Sequence, residues 1–440
     1  MRLHNIVVGV AAVCCATASF AEERLTVDDA VKLALKGNYR LLTVEKRALG
    51  GHDVALSVGA RLLPAVRLTE EYQHWDCPFA IGFASMPITS GCLSNPMTQI
   101  VARSQNTNNF AAVIDQPLVG LLHTGFDYAA QRSTAKATDA GSKVTEAQVV
   151  QTVRTIYLQY FEARALEDIA AASAAELADE VTVAQARLKA GVITNADLLR
   201  VSVAQANARQ QQIAAHTQAV VAKANLLDTI GLRADAAVEL AEPTSLLTMA
   251  ARPLPDVVAA TEQAESKRPE VAQAELTARA ADHARKARYL QLLPEVDAEG
   301  GYVRTDGQLF APPDQWFVGL RASWNIWEWG ASFFQARAAS WQAEASLLER
   351  DNERRQVALE VQTTKAQSEA AAVSVDVAQQ TIGSAKEAYR VTQALLQAGS
   401  ATTTDLLDSQ AAFLTARLNL ARAQYELAIQ RVALARVMGD

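Results

Sequence analysis

Apolar residues recur at helical spacing over most of the chain and at alternate positions in four short segments. In the last helix-patterned stretch, Leu407, Ala411, Leu414, Leu418, Ala421, Tyr425, Ala428, Val432 and Ala435 step by four and three. A second stripe, Leu406, Phe413, Leu420, Leu427 and Leu434, repeats every seven. Two stripes on one helix need two neighbours, as in a ring of helices, although an ordinary bundle shows the same spacing. From about Gly125 to Ala190 the pattern is nearly unbroken. At 1.5 Å per residue that is roughly 100 Å of helix, more than a compact domain needs.

The other four segments have a period of two. Val66, Leu68 and Tyr72 alternate with Arg67, Thr69, Glu71 and Gln73. A second segment, about 108–118, carries Phe110, Ala112 and Ile114 on one face, and a third sets Val296, Ala298 and Tyr302 against Asp297 and Glu299. The fourth sets Trp316, Val318, Leu320, Ala322, Trp324 and Ile326 against Arg321, Ser323 and Asn325. Each is about 10 residues long, enough for a tilted strand to cross a bilayer. One apolar and one polar face suit a water-lined barrel; a small solvent-exposed sheet packed on helices fits the alternation equally well. In the barrel reading, Trp75, Tyr302, Trp316 and Trp324 are interfacial aromatics. Four strands cannot close a barrel, and open edges in hydrocarbon leave backbone groups unsatisfied. The chain would then share its barrel with copies of itself, three copies supplying about twelve strands. The loops at 76–107 and 306–314 would face outward.

The pattern is doubled. Gln185, Leu188, Ala190, Gly191, Thr194, Asp197, Leu198, Leu199, Arg209 and Gly231 return at constant spacing as Gln393, Leu396, Ala398, Gly399, Thr402, Asp405, Leu406, Leu407, Arg417 and Gly439. Leu62-Leu63-Pro64 returns as Leu292-Leu293-Pro294, Tyr72 as Tyr302 and Gly125 as Gly330. Residues 22–232 and 256–440 therefore read as two repeats: short helix, medium helix, strand, loop, strand, very long helix, tight turn, long helix. Residues 233–255, with Pro243, Pro253 and Pro255, are the linker. Thr26 is placed to cap the first helix and Gly37 to stop it. Gly191 and Gly399 suit the left-handed residue that ends a helix. Thr194 or Asn195, and Thr402 to Thr404, can cap the next one, with Asp197 and Asp405 near its positive end.

The first 21 residues read as a secretory signal peptide: polar Arg2 and His4, an apolar run from Ile6 to Val13, and small Ser19 and Ala21 before Glu22. Cys14 and Cys15 lie inside it, and Val13 does not fit a lipoprotein site. Cys77 and Cys92 remain, close together in one irregular segment. In an exported chain a disulfide is the default, with two free thiols as the alternative. The net charge of −7 argues against a nucleic-acid partner. Aromatics at 6% and abundant alanine favour long packed helices. His52, His74, His123, His216 and His283 are scattered without metal-ligand spacing, and no phosphate loop or nucleophile–base set stands out. No enzyme activity, cofactor or metal is expected.

Taken in order, these residues resemble the outer membrane efflux protein family, the TolC-like channels, over about 25–440. The markers are Leu25-Thr26-Val27-Asp28-Asp29-Ala30-Val31 with Ala34 and Leu35, and the two Leu-Leu-Pro segments. Further markers are Gln116-Pro117-Leu118 leading to Gly125, Ile326-Trp327-Glu328-Trp329-Gly330, and the two Ala-Gly-x-x-Thr-x-x-Asp-Leu-Leu turns. The resemblance implies a mostly α, α+β membrane protein: a homotrimer with a twelve-strand transmembrane β-barrel continued by a twelve-helix periplasmic α-barrel. It would sit in the outer membrane of a Gram-negative bacterium, as the exit duct of a tripartite efflux pump or type I secretion system. Its partners would be a periplasmic adaptor and an inner-membrane transporter of the RND, MFS or ABC type.

The resemblance also implies roles. The turns at Gly191, Thr194, Gly399 and Thr402 would meet the adaptor. Asp405 and Asp408, three apart on one helix face, would form stacked carboxylate rings at the pore constriction. The first repeat offers Asp197 but Arg200 in the second place. The family's Arg and Tyr latch beside the second turn is absent, because the matching positions are Ala401 and Leu396. The competing reading is a periplasmic coiled-coil adaptor without its own pore. Such a protein would have one hairpin between sheet domains rather than two hairpins interleaved with strand pairs.

Overall fold

The computed structural model describes residues 24–82 and 99–440. The leader segment and Cys92, and with it the Cys77–Cys92 pairing, lie outside them. The chain is mostly helical, with one antiparallel sheet and a doubled element order. The first pass runs α1 (Val27–Gly37), α2 (Tyr39–Ala60), β1 (Ala65–His74), β2 (Phe79–Gly82), β3 (Gln99–Pro117), α3 (Gly120–Lys189) and α4 (Asn195–Thr229). After a short α5 (Thr244–Ala250) the second runs α6 (Val257–Lys267), α7 (Pro269–Leu290), β4 (Glu295–Gln308), β5 (Asp314–Ser323), α8 (Ala331–Gln397) and α9 (Thr403–Val437).

Two compact units are formed, each drawing on both halves. The first comprises the described part of Met1–Asn38 with Val150–Arg252 and Ala371–Val432. Its interior is aliphatic and small, with Leu158, Val201, Leu226, Leu227, Ile230 and Leu406 buried. Ala174, Leu177 and Ala208 form a tight cluster, small side chains letting long helices approach closely. Tyr157 is fully buried and satisfies its hydroxyl on the carbonyls of Leu25 and Ala241, at 2.9 and 2.5 Å, pinning the bridge between Leu25 and Leu240.

The second unit comprises Tyr39–Val149, Pro253–Ala370 and Ala433–Asp440. Its helical core joins Ala260, Ala264, Val271, Val357, Val361 and Val437. Beside it, Arg268 is 4% exposed and bonds Glu270 and Glu360 at 3.1 and 2.5 Å. Arg436 closes the same network from α9, at 2.8 and 3.0 Å. One buried and one half-buried cation are thus matched by two shared carboxylates, the arrangement that makes burial of charge tolerable.

The sheet also belongs to this unit. Its order is β1-β3-β4-β5, with β2 pairing β3. The strands reach further than the alternation predicts. Part of the expected loop at 76–107 is β2 and the first half of β3, where Ala80 faces Val101 and Ile81 faces Ile100. Phe79 to Ile81 supply a strand-forming partner that a period-two scan of 108–118 does not see. β4 likewise continues to Gln308, whereas β5 stops at Ser323 and leaves Trp324 and Ile326 beyond its end.

Candidate functional site

Cross-strand register decides which side chains share a face, because directly opposed residues in antiparallel strands point the same way. Ala112 faces Leu68 on one side and Tyr302 on the other, and Tyr302 faces Trp316. The next row joins Val66, Ile114, Gly300 and Val318. The row after that joins Gln116, Ala298 and Leu320. Four separate alternating segments thereby merge into one apolar surface, and Trp316, Val318 and Leu320 are 82%, 91% and 72% exposed on it. The opposite face carries Arg67, Thr69, Glu71, Asn109, Asp115, Asp297, Glu299 and Arg321, and Arg321 bonds Glu299 at 2.6 Å. β1 and β5 are the free edges.

The expected interfacial aromatics separate into three situations. The Tyr302 and Trp316 rings meet at a 46° tilt with centroids 4.9 Å apart on the apolar face, and Tyr302 donates its hydroxyl to Asp314. Trp324 lies past the other end of β5 and anchors its indole N–H on the Leu292 carbonyl at 3.2 Å. Trp75 departs from the expectation. It is half-buried on the polar side, with the Arg103 guanidinium over its ring. Alternation counted to the end of β1 places Trp75 with Gln73 and Glu71, which is where the structure has it.

Two further tryptophans follow Trp324 before α8. Trp327 and Trp329 are 74% and 84% exposed and meet edge to face at 5.5 Å. Trp329 at φ 52° and Gly330 at φ 80° form a left-handed pair that turns the chain into α8. The Trp-Glu-Trp-Gly run before the helix was the available signal; the strand period that selects Trp324 ends too early to include it.

In the first unit, the two hairpin turns are near copies. Gly191 and Gly399 have φ of 70° and 76°. Val192 N–H reaches the Arg187 carbonyl at 2.9 Å and Ser400 N–H that of Leu395 at 2.8 Å, the six-to-one bond of a Schellman end. Thr194 and Asp197 form a reciprocal capping box: the Asp197 N–H donates to Thr194 Oγ1, while Asp197 Oδ2 accepts from the Thr194 N–H and hydroxyl at 3.0 and 2.6 Å. Thr402 and Asp405 repeat it, at 2.8 and 2.7 Å. The Thr402 hydrogen bonds hold the Asp405 carboxyl below the usual aspartate range, and those of Thr194 do the same for Asp197. One oxygen of Asp405 is therefore committed to its turn. Asp408, one turn further along α9, is exposed.

The copies differ at Arg200. It lies 3.6 Å from Asp197 Oδ1 and donates from Nη1 to Thr404 Oγ1 at 3.2 Å, joining the first hairpin to the second. Leu396 and Ala401 add only backbone and half-buried apolar surface.

A family model described as outer membrane efflux protein matches residues 57–232 and 260–440, once in each half of the chain. No curated protein sequence matches. Several solved structures share the fold. The channel CusC superposes with a TM-score of 0.80 at 15% identity, over 94% of this chain and 92% of its own. VceC from Vibrio cholerae gives 0.77 at 15%, over 94% and 96%. The open state of MtrE from Neisseria gonorrhoeae gives 0.76 at 15%, over 94% and 88%.

Proposed function

The chain belongs to the outer membrane efflux protein family, and from that premise we propose that it is the passive exit duct of a tripartite efflux system, built as a trimer in the outer membrane. The observation that carries this reading is the sheet. Its four principal strands gather one exposed apolar face and one charged face and leave both edges unpaired. In water such a face would invite aggregation; in lipid the face is satisfied, and only edge-to-edge closure with copies satisfies the edges. Three copies bring about twelve strands, within the range of known barrels. The charged face then lines water.

The long hairpins are the periplasmic part of the duct. The capped turns at Gly191, Thr194, Gly399 and Thr402 are its adaptor-docking tips, and Asp405 and Asp408 line its closed mouth beside Asp197 and Arg200. Substrates would be handed over by an inner-membrane transporter through the adaptor; a type I secretion partner would use the same tips.

Membrane fractionation of the full chain expressed in a Gram-negative host tests the proposal. A heat-modifiable oligomer in the outer-membrane fraction is expected. A soluble periplasmic monomer would overturn it.

A further inference from the structure

At one end of the sheet, beyond the apolar rows, Trp75 and Arg103 form a built pair on the charged side. Trp75 N–H bonds the Gln105 carbonyl at 2.8 Å, continuing the register in which His74 faces Asn106. Its indole N–H donates to Thr107 Oγ1 at 3.1 Å, and Thr107 is 2% exposed. The Arg103 guanidinium lies 3.6 Å from the Trp75 ring centroid. The backbone is shaped around this pair. Register between β3 and β4 jumps from Asn108–Asp306 to Arg103–Gln308, and Gly307 turns at φ 88°, where a side chain would collide with the Asn106 carbonyl.

Burial without a carboxylate sets Arg103 apart, since Arg67 on the same side is exposed to solvent. Arg304 is held by Asp306 at 3.2 Å and Arg321 by Glu299 at 2.6 Å. Among the described residues no carboxylate pairs with Arg103, and its Nε is buried without a partner. Elsewhere on the charged side four carboxylates, Glu71, Asp115, Asp297 and Glu299, outnumber the two cations Arg67 and Arg321. Arg103 is thus a part-buried cation without a carboxylate partner above a wall in which carboxylates outnumber cations, clamped on an aromatic face that favours the guanidinium geometrically and electrostatically.

We propose that Trp75 and Arg103 form a cationic ring at the outer end of the lumen, one pair per subunit, that opposes the entry of cations from outside. The proposal rests on the channel reading above, in which the charged face lines water. A ring of like charges at a narrow opening sets ion preference there, and Trp75 acts as the positioning residue for Arg103.

The test is the reversal potential of single channels of the purified full-length protein in planar bilayers under a KCl gradient. Arg103→Gln is expected to raise the potassium-to-chloride permeability ratio about two- to tenfold. Arg103→Lys keeps the charge and should stay near wild type. Trp75→Ala should shift the ratio in the same direction as Arg103→Gln, and Trp75→Phe should restore it. In wild-type channels, inorganic tripolyphosphate added on the outer side should reduce current more than when added on the other side. Arg103→Gln pores with the wild-type reversal potential would overturn the ring. So would the absence of sided polyphosphate block, a measurement that needs no variant to fold. Wild-type protein that inserts no pores at all would instead overturn the channel reading beneath it.

Discussion

Arg200 of the first hairpin donates a hydrogen bond to Thr404 of the second at 3.2 Å, bridging two turns that are otherwise near copies. The same guanidinium lies 3.6 Å from Asp197, so a carboxylate, a cation and a hydroxyl form one polar chain across the pair. Ala401 and Leu396 bring no polar side chain to the second turn, and this chain is a polar cross-hairpin contact at the proposed mouth.

Arg200→Ala should loosen that mouth. An exposed contact of this kind is worth about 0.5–1 kcal/mol, which shifts an open–closed balance roughly two- to fivefold. Open probability of single channels measures it; an unchanged value would show that Arg200 merely decorates the turn.

The two aspartates should separate by role. Asp405→Asn retains an acceptor for the Thr402 donors and Asp408→Asn has no cap to disturb, so both variants should fold. Each removes a carboxylate ring from the proposed constriction, and block by trivalent cations should weaken about tenfold or more. Block that survives in the double variant would place both residues away from the constriction.

The capping boxes predict a pH dependence. The carboxyls of Asp197 and Asp405 are lowered from 3.8 by hydrogen bonds from their threonines. A lowered folded-state pKa contributes stability above the unfolded value, and that contribution is lost as pH falls through the folded one. Amide protection of the turns should therefore be flat from pH 7 to about 5 and decline only below about 4. Thr402→Ala, which removes the N-cap at a typical cost of about 1 kcal/mol, should lower protection at the second turn at every pH. Hydrogen exchange resolves the two turns separately.

Neighbouring positions on β5 test the assignment of the faces. Val318 is 91% exposed on the apolar face, and Val318→Arg should cost about 2–4 kcal/mol per chain in a bilayer and abolish assembly. Gly319 stands opposite Glu299 on the charged face, with open space around its α-carbon. Gly319→Arg should assemble at near wild-type yield. Equal yields of heat-modifiable oligomer from both would remove the lipid-facing assignment.

Much of this architecture is written in periodicity. Alternation of three and four marks the long helices and alternation of two the strand cores, because both periods follow from backbone geometry alone. The glycines and threonines of the turns are legible for the same reason: Gly191 and Gly399 meet a steric demand, and Thr194 and Thr402 answer unpaired N–H groups one residue before their helices. What sequence could not supply was any relation between distant positions. Register across β1, β3, β4 and β5 is set by pairing, so only the folded sheet decides that Leu68, Ala112, Tyr302 and Trp316 form one row. The same pairing moves Trp75 from the expected lipid side to the charged side under Arg103. Arg200 reads in sequence as a broken repeat of Asp408. In the fold it is a bridge to Thr404, because a side chain's partner depends on which helices pack together, and that is decided by the whole core rather than by any local run of residues.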